Sequence, residues 1–253
     1  MSNYDRYGTP VKKRKNHSAF FAPLVFLLVV GIIVFALGIF FRVQTIEVRG
    51  GISYTDEEII NASGIDIGDN LFFINRFSAS SRIFSKLAFV EEATIDRSLP
   101  NTVVITVQES YAAAYVDWEG QCWMISEDGK LLGSGTEEEL AGLIHVLNLT
   151  PLAPKSGEIL SVAEEDELKL SYLLELLPAM SLEGMLGDVT DLDFSNAADP
   201  TFRYLDRFTV KMGTSGDSDY KLRMLLGAVD QLEPGYTGTI DLSDGSKVYV
   251  TPD

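Results

Sequence analysis

The sequence is poor in the residues that most often carry chemistry. Cys122 is its single cysteine, so no internal disulfide forms and the fold must stand on its apolar core. The context "GQCWMIS", apolar at strand spacing, predicts a buried packing thiol. There are two histidines, His17 in a basic tail and His145 in the apolar stretch "GLIHVLN". A histidine-based metal site or acid–base pair needs more than that, and His145 reads as structural. No nucleophile elbow, Walker loop or dinucleotide fingerprint occurs. Cations are scarce as well, with 20 Lys and Arg against 37 Asp and Glu and a net charge of −17. Such a chain lacks the basic face that neutralises phosphates, which excludes nucleic acid as the partner. The acidic runs "TEEEL" and "AEEDEL" fall in turns or where helices begin, and there carboxylates favour the positive end of the helix dipole. They read as solvated caps, and neither an enzyme nor a bound cofactor or metal is expected.

Against that background one apolar run stands out. Residues 19–41 carry no charged or strongly polar side chain, and at about 1.5 Å per residue they span the roughly 30 Å hydrocarbon core of a bilayer. A buried helix of a soluble domain would show a polar stripe. Pro23, Gly31 and Gly38 are tolerated in membrane helices. The tail before the run holds Arg6, Lys12, Lys13, Arg14 and Lys15 against Asp5, a net of +4 that leaves −21 for the rest. Lys and Arg flanking a span stay cytoplasmic, so residues 1–18 are expected inside and 42–253 outside. Ala36-Leu37-Gly38 resembles an export cleavage site, but the run is longer than a signal core of about 7–15 residues. The segment is read as a retained anchor.

Beyond the span, "FRVQTIEVRG" alternates as a strand closed by Gly50-Gly51. Thr55-Asp56-Glu57-Glu58 is a capping box, and Gly64 supplies a left-handed stop, which predicts a short helix. A second short helix, "SASSRIFSKLAFV", turns Ile83, Phe84 and Leu87 to one side. Two alternating strands follow, "EEATIDRS" and "NTVVITVQES", split by Leu99-Pro100-Asn101. Strand, helix, helix, strand, strand makes a compact unit over 42–110, a three-stranded sheet with two helices on one face. The remainder, 111–253, reads as mostly strands with two helices. Hairpins are expected around Glu119-Gly120 and Asp244-Gly245 and a turn at Asp128-Gly129. One helix is capped by Ser161 and Glu164, faces Leu168, Tyr172 and Leu176 inward and stops near Pro178. The other turns Leu222, Leu225, Leu226 and Val229 inward and ends near Pro234-Gly235. The fold class is α+β.

The succession of basic tail, single span and "FRVQTIEVRG…YTDEEIINASGIDIGDNLFFIN" resembles the FtsQ/DivIB family of bacterial cell-division proteins. The likeness continues through "LAFVEEATIDRSLPNTVVITVQES" and "AAAYVDWEGQCWMISEDGKLL". It implies that 42–110 is a POTRA domain, in agreement with the element order above. It further implies a non-catalytic scaffold in the cell membrane at the division septum, linking septal peptidoglycan synthesis to division. The implied partners are FtsL-type and FtsB/DivIC-type bitopic proteins and other divisome components. The alternative from a different class is an exterior sensor or cell-wall-processing enzyme that uses a POTRA-like domain for partner or substrate handling.

Two places are candidates for partner contact. In the first unit, strands 92–98 and 102–108 are expected to leave sheet edges that accept a partner strand. There Val103, Ile105 and Val107 build the core, which leaves Thr106 and Gln108 as the informative exposed positions. In the second, strand 247–251 is last in the sequence, and its outer edge is expected to stay uncovered. The resemblance also points to the late strands as the site for the FtsB/DivIC-type partner. Tyr249 is the expected anchor, because interface energy concentrates in aromatics, with Lys247, Val248, Val250 and Thr251 beside it. The competing expectation is that Tyr249 packs on the helix over 219–232. Pro252 limits the edge, having no amide to donate.

Overall fold

The computed structural model describes residues 18–50 and 53–253. The basic tail through His17, and Gly51 of the expected Gly50-Gly51 stop, lie outside the described residues. The chain divides into two compact units, one of Met1–Glu47, Asp66–Ile74 and Arg97–Val104, the other of Val48–Ile65, Asn75–Asp96 and Ile105–Asp253.

Helix α1 (Ser18–Phe40) is the apolar run. The stretch Pro23–Phe40 is long and apolar enough to cross a membrane, and none of it is buried in the protein. A core helix would be covered by other elements, and this one has the uniformly apolar surface that lipid requires.

The elements that follow α1 are β1 (Thr45–Arg49), α2 (Asp56–Ser63), α3 (Arg76–Lys86), β2 (Val90–Ser98) and β3 (Thr102–Glu109). The expected strand–helix–helix–strand–strand order is therefore present. In α2 the Thr55 hydroxyl takes the Glu58 amide at 3.3 Å and Glu58 returns to the Thr55 amide at 2.8 Å. Those bonds satisfy two orphan donors of the first turn and hold the Glu58 carboxyl below the usual range. Gly64 ends the helix at φ 62, a conformation that costs glycine nothing. Asn75 caps α3 by accepting the Ser78 amide at 3.1 Å. The strand order is β1-β3-β2, so the central strand is β3. That corrects the expectation of an open edge along 102–108, because β3 is hydrogen-bonded on both sides.

The later elements make one nine-stranded sheet. Its strands are β4 (Ala112–Trp118), β5 (Gln121–Ser126), β6 (Leu131–Ser134), β7 (Ile144–Leu147), β8 (Val189–Asp193), β9 (Thr201–Tyr204), β10 (Phe208–Lys211), β11 (Gly238–Asp241) and β12 (Tyr249–Pro252). Their spatial order is β12-β11-β10-β9-β8-β7-β4-β5-β6. Short antiparallel hairpins alternate with parallel pairs at β4–β7, β7–β8 and β10–β11. A parallel neighbour needs a crossover, and α5 (Glu167–Leu182) and α6 (Ser218–Val229) lie in the connections β7–β8 and β10–β11. The core packs Tyr172, Leu173, Leu176 and Leu177 of α5 and Leu222 and Leu225 of α6 with Val146, Leu192, Phe202, Val210 and Ile240 of the sheet.

Three local expectations are corrected. Helix α5 does not stop at Pro178 but continues to Leu182. Pro178 forfeits one helical bond, while Leu176, Leu177, Ala179 and Met180 around it are buried and keep the segment in place. Ser161 caps nothing; its hydroxyl reaches the Leu152 carbonyl at 3.5 Å, and a 3-10 turn, Glu164–Asp166, precedes α5. A true capping box sits instead at Thr136 and Glu139, opening the single turn α4 (Glu137–Leu140). Leu168, expected inward, is 75% exposed.

Candidate functional site

A nine-stranded open sheet has two edges, and the described residues treat them differently. Along β6 the Leu131 amide donates to the Glu158 carbonyl and the Gly157 amide to the Leu131 carbonyl, both at 2.8 Å. The Ser156 hydroxyl adds a bond to the Leu132 carbonyl at 3.1 Å. That edge is covered by residues 156–158. At the opposite end β12 pairs antiparallel with β11, and no strand lies beyond it among the described residues.

The register decides which backbone groups are offered. Gly238 and Leu242 donate their amides to Arg207 and Lys211, beside and on β10, so the alternate residues Thr239 and Asp241 face β12. Their partners are Thr251 and Tyr249. By the same alternation, the N–H and C=O of Val250 point away from the sheet. Pro252 follows with a carbonyl and no amide. Side chains alternate the other way. Val248 and Val250 pack on the core, while Tyr249 is 50% exposed and Thr251 is exposed.

The hairpin leading into β12 is set by its own carboxylates. Asp241 accepts the Ser243 hydroxyl at 2.6 Å and the Ser243 amide at 2.9 Å, which holds its carboxyl below the ordinary range. Gly245 donates to the Leu242 carbonyl at 3.1 Å. The Tyr249 hydroxyl donates to Asp244 at 3.2 Å, and the Asp244 charge pushes its pKa up. Gly238 brings β11 and β12 together: a Cβ there would overlap the Thr251 carbonyl and lie 3.0 Å from Pro252 Cα.

The structure separates the sequence candidates. Val250 and Thr251 are on the edge strand with Tyr249, whose side chain is half exposed and alternates with the core-packed Val248 and Val250. Lys247 and Val248 precede the strand, which begins at Tyr249 and extends to Pro252. The expected range of 247–251 therefore shifts toward the C-terminus. Thr106 and Gln108 are exposed on central β3, and Gln108 donates to Glu91 of β2 at 3.5 Å. They lie on a sheet face.

Sequence reasoning missed a polar cluster on β4, β5 and β7. Asp117 lies across from Cys122, and Tyr115 across from His145. The Cys122 thiol donates to Asp117 Oδ1 at 3.3 Å, and His145 Nε2 lies 2.7 Å from Asp117 Oδ2. Tyr115 stacks on the imidazole with centroids 4.4 Å apart. The thiol is half-buried and hydrogen-bonded, which corrects the expectation of a buried packing group. The carboxylate stands between thiol and imidazole, so the histidine does not act on the sulfur. Burial and the Asp117 charge push the thiol pKa up, the reverse of what a nucleophilic cysteine needs. A second cluster joins Glu91, Glu127 and Asp128, with one carboxylate oxygen from each within 4.8 Å of the others. Partial burial and the two neighbouring charges push the Glu91 pKa up. Only the pairing of strands β4, β5 and β7 could have revealed the first cluster, and no spacing in the sequence encodes it.

Comparison with known proteins gives the same direction along the chain. Residues 41–110 match the POTRA domain, FtsQ-type, family. The chain is 29% identical over 251 residues to the cell division protein DivIB of Clostridium botulinum (strain Hall), covering 97% of this chain and 95% of that protein. It is 29% identical over 135 residues to DivIB of Bacillus subtilis (strain 168), covering 53% and 51%. It is 28% identical over 113 residues to the cell division protein FtsQ of Corynebacterium glutamicum, covering 45% and 50%. These matches bear out the FtsQ/DivIB resemblance read from the sequence.

Proposed function

We propose that this chain is a membrane-anchored, non-catalytic scaffold of the bacterial division machinery. Helix α1 holds it in the cell membrane, with residues 1–18 cytoplasmic and the later residues outside, at the division septum. There it binds FtsL-type and FtsB/DivIC-type bitopic proteins and links septal peptidoglycan synthesis to division. The DivIB and FtsQ relatives and the POTRA match support the division role; the excess of Lys and Arg before the span supports the orientation.

The observation that carries the partner site is the difference between the two sheet edges. With β6 covered and β12 open, a partner strand adds beside Val250 through backbone hydrogen bonds, and Tyr249 and Thr251 contribute side-chain contacts. Lys247 and Val248 flank it. Thr106 and Gln108 form a separate recruiting surface on β3, which engages a partner through side chains. The test places proline at Val250, where the outward amide is lost and the hydrogen bonds to β11 are kept, and separately changes Tyr249 to Ala. Both folded variants should bind the FtsB/DivIC-type partner at least about tenfold more weakly. Undiminished binding by both would remove the edge from the proposal.

A further inference from the structure

The first unit carries exposed apolar side chains in an unusual place. Ile67, Phe72, Phe73 and Leu99 are 73%, 50%, 86% and 60% exposed. They sit on two loops, residues 66–74 and 99–101, and both loops are fastened to the few residues that follow α1. The Leu71 amide donates to the Phe41 carbonyl at 2.9 Å, the Gly68 amide to Val43 at 2.8 Å and the Val43 amide to Asp69 at 2.8 Å. From the other loop, the Asn101 carbonyl accepts the Gln44 amide at 2.8 Å. Asn70 reaches furthest back: its side-chain amide donates to the Gly38 carbonyl at 3.4 Å, within the last turn of α1. The Phe72 ring meets Phe41 edge-on at 5.0 Å.

These bonds fix a depth. Phe41 closes the apolar run, and Thr45 lies four residues on, about 13 Å of extended chain at most. The headgroup zone on one side of a bilayer is about 5–8 Å thick. Loops tied to Gly38, Phe41 and Val43 therefore lie within it. They are also held stiff. Arg97 donates to the Ile74 carbonyl at 2.9 Å and to Phe72 at 3.4 Å, and the Asn70 carboxamide oxygen accepts the Phe72 amide at 2.9 Å. A rigid loop presents its apolar side chains without a further ordering cost on binding.

We propose that Ile67, Phe72, Phe73 and Leu99 form an apolar collar that inserts into the interfacial layer of the membrane α1 crosses, seating the start of the exterior chain on the lipid. The occupant is lipid because the collar is continuous with the span and at its depth, where aromatic side chains are favoured. This rests on the reading of α1 as a membrane anchor.

The experiment uses the full chain in vesicles whose lipids are brominated along the acyl chains of both leaflets, with matched unbrominated vesicles as reference. Phe73→Trp, Ile67→Trp and, within the span, Ile33→Trp are compared with the parent, whose own tryptophans set the background. The added fluorescence of Ile33→Trp should be strongly quenched, and that of Ile67→Trp and Phe73→Trp should each fall by about half. Quenching in the span variant with none in the two loop variants would overturn the collar and leave the anchor standing. A blue-shifted but unquenched signal from the loop variants means protein covers those positions, and also overturns it. No quenching in the span variant would overturn the anchor and the collar together.

Discussion

The ammonium of Lys130 stands 3.8 Å from the centroid of the Phe84 ring and donates to the Phe84 carbonyl at 2.9 Å. Two further carbonyls close the cage, Val90 at 2.7 Å and Leu87 at 3.1 Å. Lys130 precedes β6, and its three acceptors come from the last turn of α3 and the start of β2. The side chain is 2% exposed, so the charge is held by carbonyl dipoles and an aromatic face, at the negative end of a helix. This contact joins the late turn to the early helix inside one compact unit.

Lys130→Ala should therefore destabilise the folded unit by about 2–4 kcal/mol, since it removes packing and leaves three carbonyls without their donor. Denaturant unfolding measures it. A change under about 0.5 kcal/mol, typical of surface positions, would mean that the cage contributes nothing.

The same group gives a pH signature. Burial lowers the Lys130 pKa to about 8, whereas an unfolded lysine titrates near about 10.4. Between those values the unfolded state binds more protons, so the contribution of Lys130 to stability rises with pH. Below about 8 the lysine is charged in both states and the slope vanishes. The unfolding free energy of the parent minus that of Lys130→Met should climb between about pH 8 and pH 10, by at most about 1.4 kcal/mol per unit. A flat or falling difference would contradict the shift.

Gly238→Ala should detach β12 selectively. The new Cβ meets the backbone of Thr251 and Pro252, which cannot yield as a flexible side chain would. Amide exchange at Tyr249 and Thr251, whose N–H groups bond β11, should quicken at least about tenfold while the β9–β10 hairpin stays protected. Unchanged exchange at those two amides would show that the sheet absorbs the methyl group.

Asp117→Asn should make Cys122 more reactive. The thiol pKa is raised by burial and by the Asp117 carboxylate, and the second cause disappears with the charge. Alkylation at about pH 8 should accelerate about two- to fivefold, as the thiolate fraction grows. An unaltered rate would assign the whole shift to burial.

Local signals in the sequence determined the early part of this protein. A charge-free run long enough for a bilayer specifies a helix without any protein cover, because every backbone group bonds within it. Thr55, Glu58 and Gly64 bound α2 by bonds that lie within a few residues, so their pattern is visible in a single window. The alternation in 102–109 specified β3, and the alternation around Tyr249 specified a late strand, β12. Tertiary structure decided whatever depends on neighbours distant in sequence. Strand order put β3 in the centre, since hydrogen-bonding partners are not written in alternation. Burial around Pro178 carried α5 past a residue that would end an isolated helix. Parallel pairing brought His145 to Asp117, and antiparallel pairing brought Cys122 to the same carboxylate. Only the fold, which covers β6 with residues 156–158, left β12 as the edge with no further strand beside it among the described residues.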